Sequence, residues 1–337
     1  MFKNRSILVT GGTGSFGKAF IKGIIKKYPN FKRLVIFSRD ELKQFEMSNQ
    51  KDFQHPNIRM FIGDIRDKER LKRALEGIEF VVHAAALKQV PTAEYNPFEF
   101  IKTNIIGTQN LVEACIDSRV KKVIALSTDK ASSPINLYGA TKLCSDKLIL
   151  SANNIKGSRD ISFSVVRYGN VMGSRGSVIP LFLNQRKKNI FTITDRKMTR
   201  FNITLEEGVN FVLNSLKIMR GGEIFVPKIP SYKIIDLVNS VSKNPKIKII
   251  GIRPGEKIHE EMISSEESLN VVEYKNFYVV IPNSKFNPIN KKKYMEIFKD
   301  GKNTKENFNY SSNNNVDFLT VSQLTKLIQK NIQDFEI

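Results

Sequence analysis

A short apolar run, Ser6-Ile-Leu-Val-Thr10, enters Gly11-Gly-Thr-Gly-Ser-Phe-Gly17 and leaves as an amphipathic stretch to about Lys27. Few backbones accept that order. Glycines between a buried strand and a helix permit a tight turn and bring the chain close to whatever lies at the helix N-terminus, where peptide N–H groups face a phosphate. Gly12 is expected to make the turn, Gly14 to let a pyrophosphate approach, and Gly17 to let helix pack on strand. The pattern predicts the start of a dinucleotide-binding βαβ unit. A ligand-free glycine turn would need neither the strand before it nor the helix after it.

Strands and helices then alternate. Apolar runs at residues 33–37, 58–62, 80–86, 123–126 and 162–166 predict strands, with helices at 67–75, at 98–118 and from Tyr138 onward. This order predicts an α/β chain on a doubly wound parallel sheet of the Rossmann type. After Asn170 the rhythm breaks. Residues 173–180 are loop-like, 191–204 alternate short strands with polar residues, and 205–217 predict a helix returning to the first domain. From about Phe286 the composition turns to Asn, Lys and Ser, which predicts a loosely packed tail before a last helix near 320–332. Residues 1–170, completed by the helix near 205–217, are expected to form the nucleotide-binding domain, and residues 171–337 mainly a smaller substrate-binding domain and tail.

The second strand runs into Ser38-Arg-Asp-Glu-Leu-Lys43. A ribose 2′-hydroxyl is usually met there by an acid and a 2′-phosphate by arginine. Ser38 and Arg39, with Lys43 as a second cation, therefore favour NADP over NAD. Asp40 is the complication, unless it caps the helix that follows. Asp64 serves equally well as an adenine contact or as the cap of the 67–75 helix. The small Ala84-Ala85-Ala86 end of the fourth strand lets a cofactor lie across the sheet. His83, inside that apolar run, reads as a core residue. Lys88, just beyond, reaches substrate or cofactor, or is a surface lysine.

The central strand delivers Thr128, Asp129 and Lys130 to the same sheet edge, and Tyr138 and Lys142, four apart, share a face of the next helix. An ammonium one turn from a phenol lowers the phenol pKa. A carboxyl and an amine at a central strand end, facing such a phenol, make an acid–base site. A surface ion pair is the plain alternative for Asp129 and Lys130.

The formal net charge is +21, but the lysines are spread along the chain and no zinc-finger or RNA-binding signature accompanies them. A basic surface that attracts an anionic nucleotide is expected, rather than a nucleic-acid binder. Cys115 and Cys144 lie in helical patterns, and His55, His83 and His259 lack ligand spacing, so a reduced cytoplasmic protein without a metal is expected. No run reaches ~18 apolar residues and the first residues hold no signal-peptide core, so no membrane span is expected.

Gly11-Gly-Thr-Gly-Ser-Phe-Gly17, Thr103-Asn-Ile-Ile-Gly-Thr-Gln-Asn110, Tyr138-x-x-x-Lys142 and Arg253-Pro-Gly-Glu-Lys257 together resemble the extended short-chain dehydrogenase/reductase superfamily. Ser38-Arg-Asp-Glu-Leu-Lys43, Ala84-Ala-Ala-Leu-Lys88, Ser127-Thr-Asp-Lys-Ala131 and Gly169-Asn-Val-Met-Gly-Ser-Arg-Gly-Ser177 sharpen the match. They resemble the soluble inverting UDP-N-acetylglucosamine 4,6-dehydratases of pseudaminic acid synthesis, from residue 6 to about residue 262. Lys130 discriminates, because the better-known nucleotide-sugar 4,6-dehydratases carry Asp-Glu where this chain has Asp129-Lys130.

The resemblance implies NADP, tightly bound and regenerated at each turnover. It would be held by Gly11, Thr13, Gly14, Ser15, Phe16, Gly17, Ser38, Arg39, Asp40, Lys43, Asp64, Ile65, Ala84, Ala85, Ala86, Lys88, Ser127, Tyr138, Lys142 and Val171. It implies UDP-N-acetylglucosamine as substrate, met by Lys88, Thr128, Tyr138 and Asn170, by Arg253 on the diphosphate and by Glu256 on the uridine ribose, with Arg175 and Arg200 as further candidates. It also implies a homohexamer. In the implied chemistry Tyr138 takes the 4-hydroxyl proton while Lys142 holds the phenol pKa down, and Thr128 bonds the 4-oxygen. A neutral Lys130, its pKa depressed by burial and Lys142, removes the C5 proton, and a protonated Asp129 assists departure of the 6-hydroxyl. A nucleotide-sugar 4-epimerase would share fold, cofactor, Tyr138 and Lys142 but has no use for Asp129 and Lys130. A non-enzymatic NADP sensor would need the glycines and not Tyr138.

Overall fold

The computed structural model describes residues 1–174, 176–281 and 290–332. Arg175 and the stretch around Phe286 lie outside the described residues. Six parallel strands realise the expected alternation: β1 (Ser6–Thr10), β2 (Arg33–Ser38), β3 (Ile58–Ile62), β4 (Phe80–His83), β5 (Lys122–Thr128) and β6 (Ser162–Tyr168). They lie in the order 3-2-1-4-5-6, the doubly wound arrangement, whose strand order reverses between β1 and β4 and leaves a crevice there. Every residue of β1 is buried, as is most of β5. Burial on both faces is why these strands read as unbroken apolar runs. β4 stops at His83, so Ala84, Ala85 and Ala86 lie beyond the strand. β5 and β6 instead run longer than their apolar cores, with Ser127 and Thr128 paired to Arg167 and Tyr168.

The chain rejoins this sheet after residue 170. The helix Leu205–Ile218 packs beside Ser15–Lys27. Lys122 Nζ reaches the carbonyls of Leu216 and Lys217 at its C-terminal end (3.0 and 3.2 Å), which satisfies oxygens that the last helical turn leaves unpaired. Ile224–Pro227 then pairs in parallel with β6, and Phe277–Val280 and Val271–Glu273 extend the sheet antiparallel.

A second, smaller core gathers Phe182, Phe191, Leu237, Leu324 and Ile328. Two of its helices, Val178–Arg186 and Ile234–Val241, were not foreseen from sequence. The first begins inside the stretch expected to be loop. Pro180 sits in its first turn, where a missing N–H costs no intrahelical bond.

The last helix lies where it was expected, at Val321–Asn331, and the loose stretch expected before it is corrected for the described residues 290–320. Val321–Asn331 buries Leu324 and Ile328 completely behind a Thr320/Gln323 capping box. Burial of one such side chain stabilises by roughly 1.5–3 kcal/mol. The Asn- and Ser-rich stretch before it is a hydrogen-bonded strap. Asn315 Nδ2 donates to Ile229 O (2.8 Å), and Tyr310 Oη donates to that same carbonyl (2.9 Å). Polar composition here reflects backbone-binding side chains, the property that favours Asn and Ser in turns.

Candidate active site

β1 ends against the N-terminus of the helix Ser15–Lys27. Gly11, at φ +65°, makes the turn, so the role expected of Gly12 belongs to its neighbour. A Cβ on Gly17 would fall 2.5 Å from Gly12 Cα, which confirms the need for glycine where helix meets turn. No side chain caps this helix and its first turn carries no acid. Its first amides are left for an anion. The Ala84 and Ala85 amides both donate to Thr10 Oγ1 (3.2 Å each), which leaves the Thr10 proton for His83 Nδ1 at 2.8 Å. Burial pushes the His83 pKa down to about 3. His83 is thus a neutral structural residue fastening the end of β4 to β1.

At the end of β2, Asp40 caps the helix Glu41–Ser48, accepting from Lys43 N (3.0 Å) and pairing with Lys43 Nζ. Ser38 Oγ lies 2.8 Å from Thr13 Oγ1, and Arg39 Nη1 lies 3.8 Å from Asp64 Oδ2. The helix Lys68–Ala74 is capped by Asp67, not Asp64, which removes the capping role for Asp64. Asp64 accepts instead from Arg66 N at 3.0 Å.

The long helix expected at 98–118 is Pro97–Phe100 and Gly107–Ile116 joined by a wide π-helical segment, Ile101–Ile106. Such segments favour functional sites. This one turns Asn104 inward. Its carboxamide accepts from Leu87 N and donates to Leu87 O (2.9 Å each) and to Thr141 Oγ1 (3.0 Å). One side chain therefore ties the loop after β4, which carries Ala86 and Lys88, to the helix that carries Tyr138.

That helix, Leu137–Ile155, starts at Asn136, whose side chain accepts from Gly139 N (2.7 Å). Asp129 and Lys130 occupy a single 3-10 turn directly after β5. Asp129 is 1% exposed. Its Oδ1 accepts from Thr128 Oγ1 (2.9 Å) and from Lys130 Nζ (3.2 Å). The Thr128 side chain also works to lower the Tyr138 phenol pKa. The Tyr138 phenol, the Thr128 hydroxyl and the Asp129 carboxyl line one cavity.

Glu260, not foreseen from sequence, completes the cluster. Its Oε1 lies 2.9 Å from Lys130 Nζ, and it is 2% exposed. Burial works to lower the Lys130 pKa, but Asp129 and Glu260 outweigh it and raise the value above that of an ordinary lysine. The expectation of a neutral Lys130 is therefore corrected for the ligand-free protein, where it is an ammonium between two carboxyls. The two carboxyls differ. Burial, opposed by Lys130, raises the pKa of Asp129. Glu260 is also penalised by burial, yet Lys130 and Arg200 hold its pKa below the usual carboxylate range. Burial and the neighbouring cations thus push the two carboxyls in opposite directions.

Burial also pushes Tyr138 up to about 12, and the cation that opposes this is Lys130. The electrostatic role expected of Lys142 toward the phenol is corrected accordingly. Lys142 is buried with Nζ on Leu126 O (2.8 Å), and burial lowers its pKa against the pull of Asp146. Asp146 in turn accepts from Ser127 Oγ at 2.6 Å and lies 3.8 Å from Arg167 Nη2. Its spacing four residues after Lys142 was the signal available for it in the sequence.

A cavity of about 850 Å³ joins these groups. Gly11, Thr13, Gly14, Ser15, Phe16 and Gly17 line one end, with Lys43, Ala84, Ala86 and Lys88 nearby. Ser127, Thr128, Asp129, Lys130, Tyr138, Asn170, Val171 and Glu260 line the middle, and Arg253 and Glu256 the far side. Ser38, Arg39, Asp40, Asp64, Ile65, Ala85 and Lys142 are not among its lining residues. The buried atoms Asp129 Oδ2, Asn170 Oδ1, Ser177 Oγ and Glu260 Oε2 have no protein partner among the described residues. Buried oxygens without a partner are costly, and four around one cavity suit a polar ligand. Arg253 makes a two-bond contact with Glu256 (Nε 3.1 Å, Nη2 2.9 Å), and Thr194 Oγ1 donates to the same carboxylate (3.0 Å). Arg200 donates to the carbonyls of Thr199 (2.7 Å), Ile258 (2.9 Å) and Lys257 (2.9 Å). Those bonds make it a clamp on the segment that delivers Glu260. Among the described residues no group of His, Cys, Asp and Glu is arranged to hold a metal, and no helix is long and apolar enough to cross a membrane.

Residues 7–282 match the polysaccharide biosynthesis protein family. The chain is 53% identical over 333 residues to the inverting UDP-N-acetylglucosamine 4,6-dehydratase of Campylobacter jejuni, covering 97% of this chain and 98% of that protein. It belongs to the inverting UDP-N-acetylglucosamine 4,6-dehydratase family. The fold agrees along the whole length with Pen of Bacillus thuringiensis, at a TM-score of 0.86 and 40% identity over 98% of this chain and 99% of that one. The UDP-glucose 4-epimerase of Rickettsia rickettsii is 43% identical over 82% of this chain and 83% of its own. For a member of the dehydratase family the unforeseen Glu260 matters most. The sequence offered one hint, a second acid three residues beyond Lys257 in Arg253-Pro-Gly-Glu-Lys-Ile-His-Glu260. Its approach to Lys130 bridges 130 positions of chain, which no local pattern encodes.

Proposed function

We propose that the protein removes water across C5–C6 of UDP-N-acetylglucosamine with inversion at C5. The product is a UDP-2-acetamido-2,6-dideoxy-β-L-arabino-hexos-4-ulose, the first intermediate toward pseudaminic acid. The observation that carries this reading is the convergence of Thr128, Asp129, Lys130 and Tyr138 on one cavity with an uncapped glycine turn. NADP bound there would supply the hydride acceptor and donor for C4 and C6 and would be regenerated at each turnover. Gly11, Gly14 and the first turn of the helix suit its pyrophosphate. Arg39 and Lys43 supply the cations for a 2′-phosphate, while Asp40 is engaged as a helix cap.

Tyr138 takes the 4-hydroxyl proton, with Thr128 bonded to the same oxygen. The 4-ketone acidifies C5–H, which Lys130 removes as a free amine. Asp129, its pKa raised by burial, gives a proton to the departing 6-hydroxyl. Lys142 orients the nicotinamide ribose, Lys88 and Asn170 hold the sugar, and Arg253 turns from Glu256 to the diphosphate, a match of guanidinium to phosphate. Glu256 is then released to the uridine ribose. Residues 1–170 with 205–217 serve the cofactor and residues 171–337 mainly the substrate. The free thiols Cys115 and Cys144 suit a reducing cytoplasm, where we expect a homohexamer.

Incubation with UDP-N-acetylglucosamine is expected to give a product lighter by one water with no net NADPH. An unchanged mass with a new C4 epimer would replace this reading with that of a 4-epimerase. Arg39→Ala is expected to weaken NADP about 10–100-fold while leaving NAD affinity unchanged, the loss of a charge-assisted contact. Equal weakening of both cofactors in a binding titration would remove Arg39 from the 2′-phosphate site.

A further inference from the structure

We infer that Glu260 is the proton acceptor that turns the Lys130 ammonium into the free amine the reaction needs. The inference rests on the reading of Lys130 as the C5 base. Glu260 Oε1 lies 2.9 Å from Lys130 Nζ, within direct proton-transfer distance. Its other oxygen, Oε2, is buried with no partner among the described residues, and the side chain lines the cavity.

Its position is fixed from both sides. Glu260 N donates to Ser312 Oγ (2.9 Å) and Ser312 N donates to Glu260 O (2.7 Å). Glu261–Ile263 pairs with Tyr310–Ser311, so the polar strap near the C-terminus holds Glu260 against the site. The charged and titratable groups facing the Lys130–Glu260 pair are Asp129, Tyr138, Arg200, Tyr232 and Lys257. Among them Asp129 has a pKa raised by burial and lies farther from Nζ, at 3.2 Å, and Arg200 donates to three carbonyls with its Nε 3.7 Å from Glu260 Oε1. Glu260 remains as the ionised oxygen base touching Nζ.

The physical advantage is that no charge leaves a buried site. Loss of the ammonium proton to water would leave Glu260 a buried anion without its nearest cation, with Arg200 3.7 Å away to balance it in part. Internal transfer turns the ion pair into a neutral amine and a neutral acid. In that step one Nζ–H bond breaks and an Oε1–H bond forms. The freed lone pair on Nζ then bonds the C5 proton as C5–H breaks and its electrons enter the 4-keto enolate. Protons balance, and no oxidant or reductant is needed.

The test uses NADP-loaded protein with UDP-N-acetylglucosamine in deuterated solvent and follows label entering C5 against pH. The wild type is expected to show a rate flat between about pH 6 and 9, because the proton never leaves the site. Glu260→Gln cannot accept it. Its rate at neutral pH should fall about 10²-fold and climb about tenfold per pH unit, as Lys130 must now ionise to solvent. Glu260→Asp should restore the flat profile at a reduced rate. A flat profile in Glu260→Gln, or a wild-type rate, would overturn the inference, since a residue that only shapes the pocket imposes no slope. Should the Gln variant fail to hold NADP, a sloped profile in Glu260→Asp overturns it instead. If the wild type itself takes no label at C5, the base reading of Lys130 fails. Label in the wild type with a flat Gln variant sinks the Glu260 step alone.

Discussion

Replacing Lys130 with methionine is expected to stop solvent exchange at C5 while the protein keeps its NADP. Loss of a positioned base costs about 10²–10⁴-fold, and an effect in that range is expected. The substitution keeps the volume of the side chain but removes the ammonium between two buried carboxyls. Stability should change with a defined sign. In the wild type, Glu260 has a lowered pKa and Lys130 a raised one. The carboxylate contributes stability above its unfolded value of about 4.3, lost as pH falls through the folded value. The ammonium contributes below about 10.4, lost as pH rises through its folded value. The pair therefore stabilises across the whole neutral range. Lys130→Met should lose more stability relative to the wild type at pH 7 than at pH 5, because protonation of Glu260 removes a buried anion that has lost its nearest cation. Undiminished C5 exchange in deuterated solvent would end the case for Lys130 as base.

Tyr138→Phe is expected to block the reaction one step earlier. Without the phenol the 4-hydroxyl proton loses its acceptor, and oxidation at C4 should slow about 10³-fold. The readout is the transient absorbance of reduced nicotinamide in a single turnover, present in Lys130→Met and absent in Tyr138→Phe. The two variants thus separate the two proton transfers. The wild-type phenol, pushed up to about 12 by burial, is neutral at pH 7, so its proton must move as the hydride moves. A full-amplitude nicotinamide transient in Tyr138→Phe would assign C4 oxidation to another base.

The sequence by itself determined the parts that depend on near neighbours. The β1–glycine–helix start, the order of the first six strands, the placing of Thr128, Asp129 and Lys130 at a strand end, and Tyr138 and Lys142 on one helical face all follow from local periodicity and glycine sterics. The strand-end Asp-Lys also carried the family. Where local chemistry had several outlets, sequence could not choose among them. Asp40 and Asp64 each had a capping role open to them, and only the fold shows that Asp40 and Asp67 take the caps. Val178–Arg186 and the tail were misjudged because proline, asparagine and serine mark loops only when no partner is near.

Tertiary structure alone decided the charge state of the site. Whether Lys130 is an amine or an ammonium depends on which carboxyls surround it, and one of them, Glu260, arrives from a distant segment held by Ser312. Electrostatic energy depends on separation in space and on burial, not on separation along the chain, so folding had to bring that pair together before its chemistry could be read.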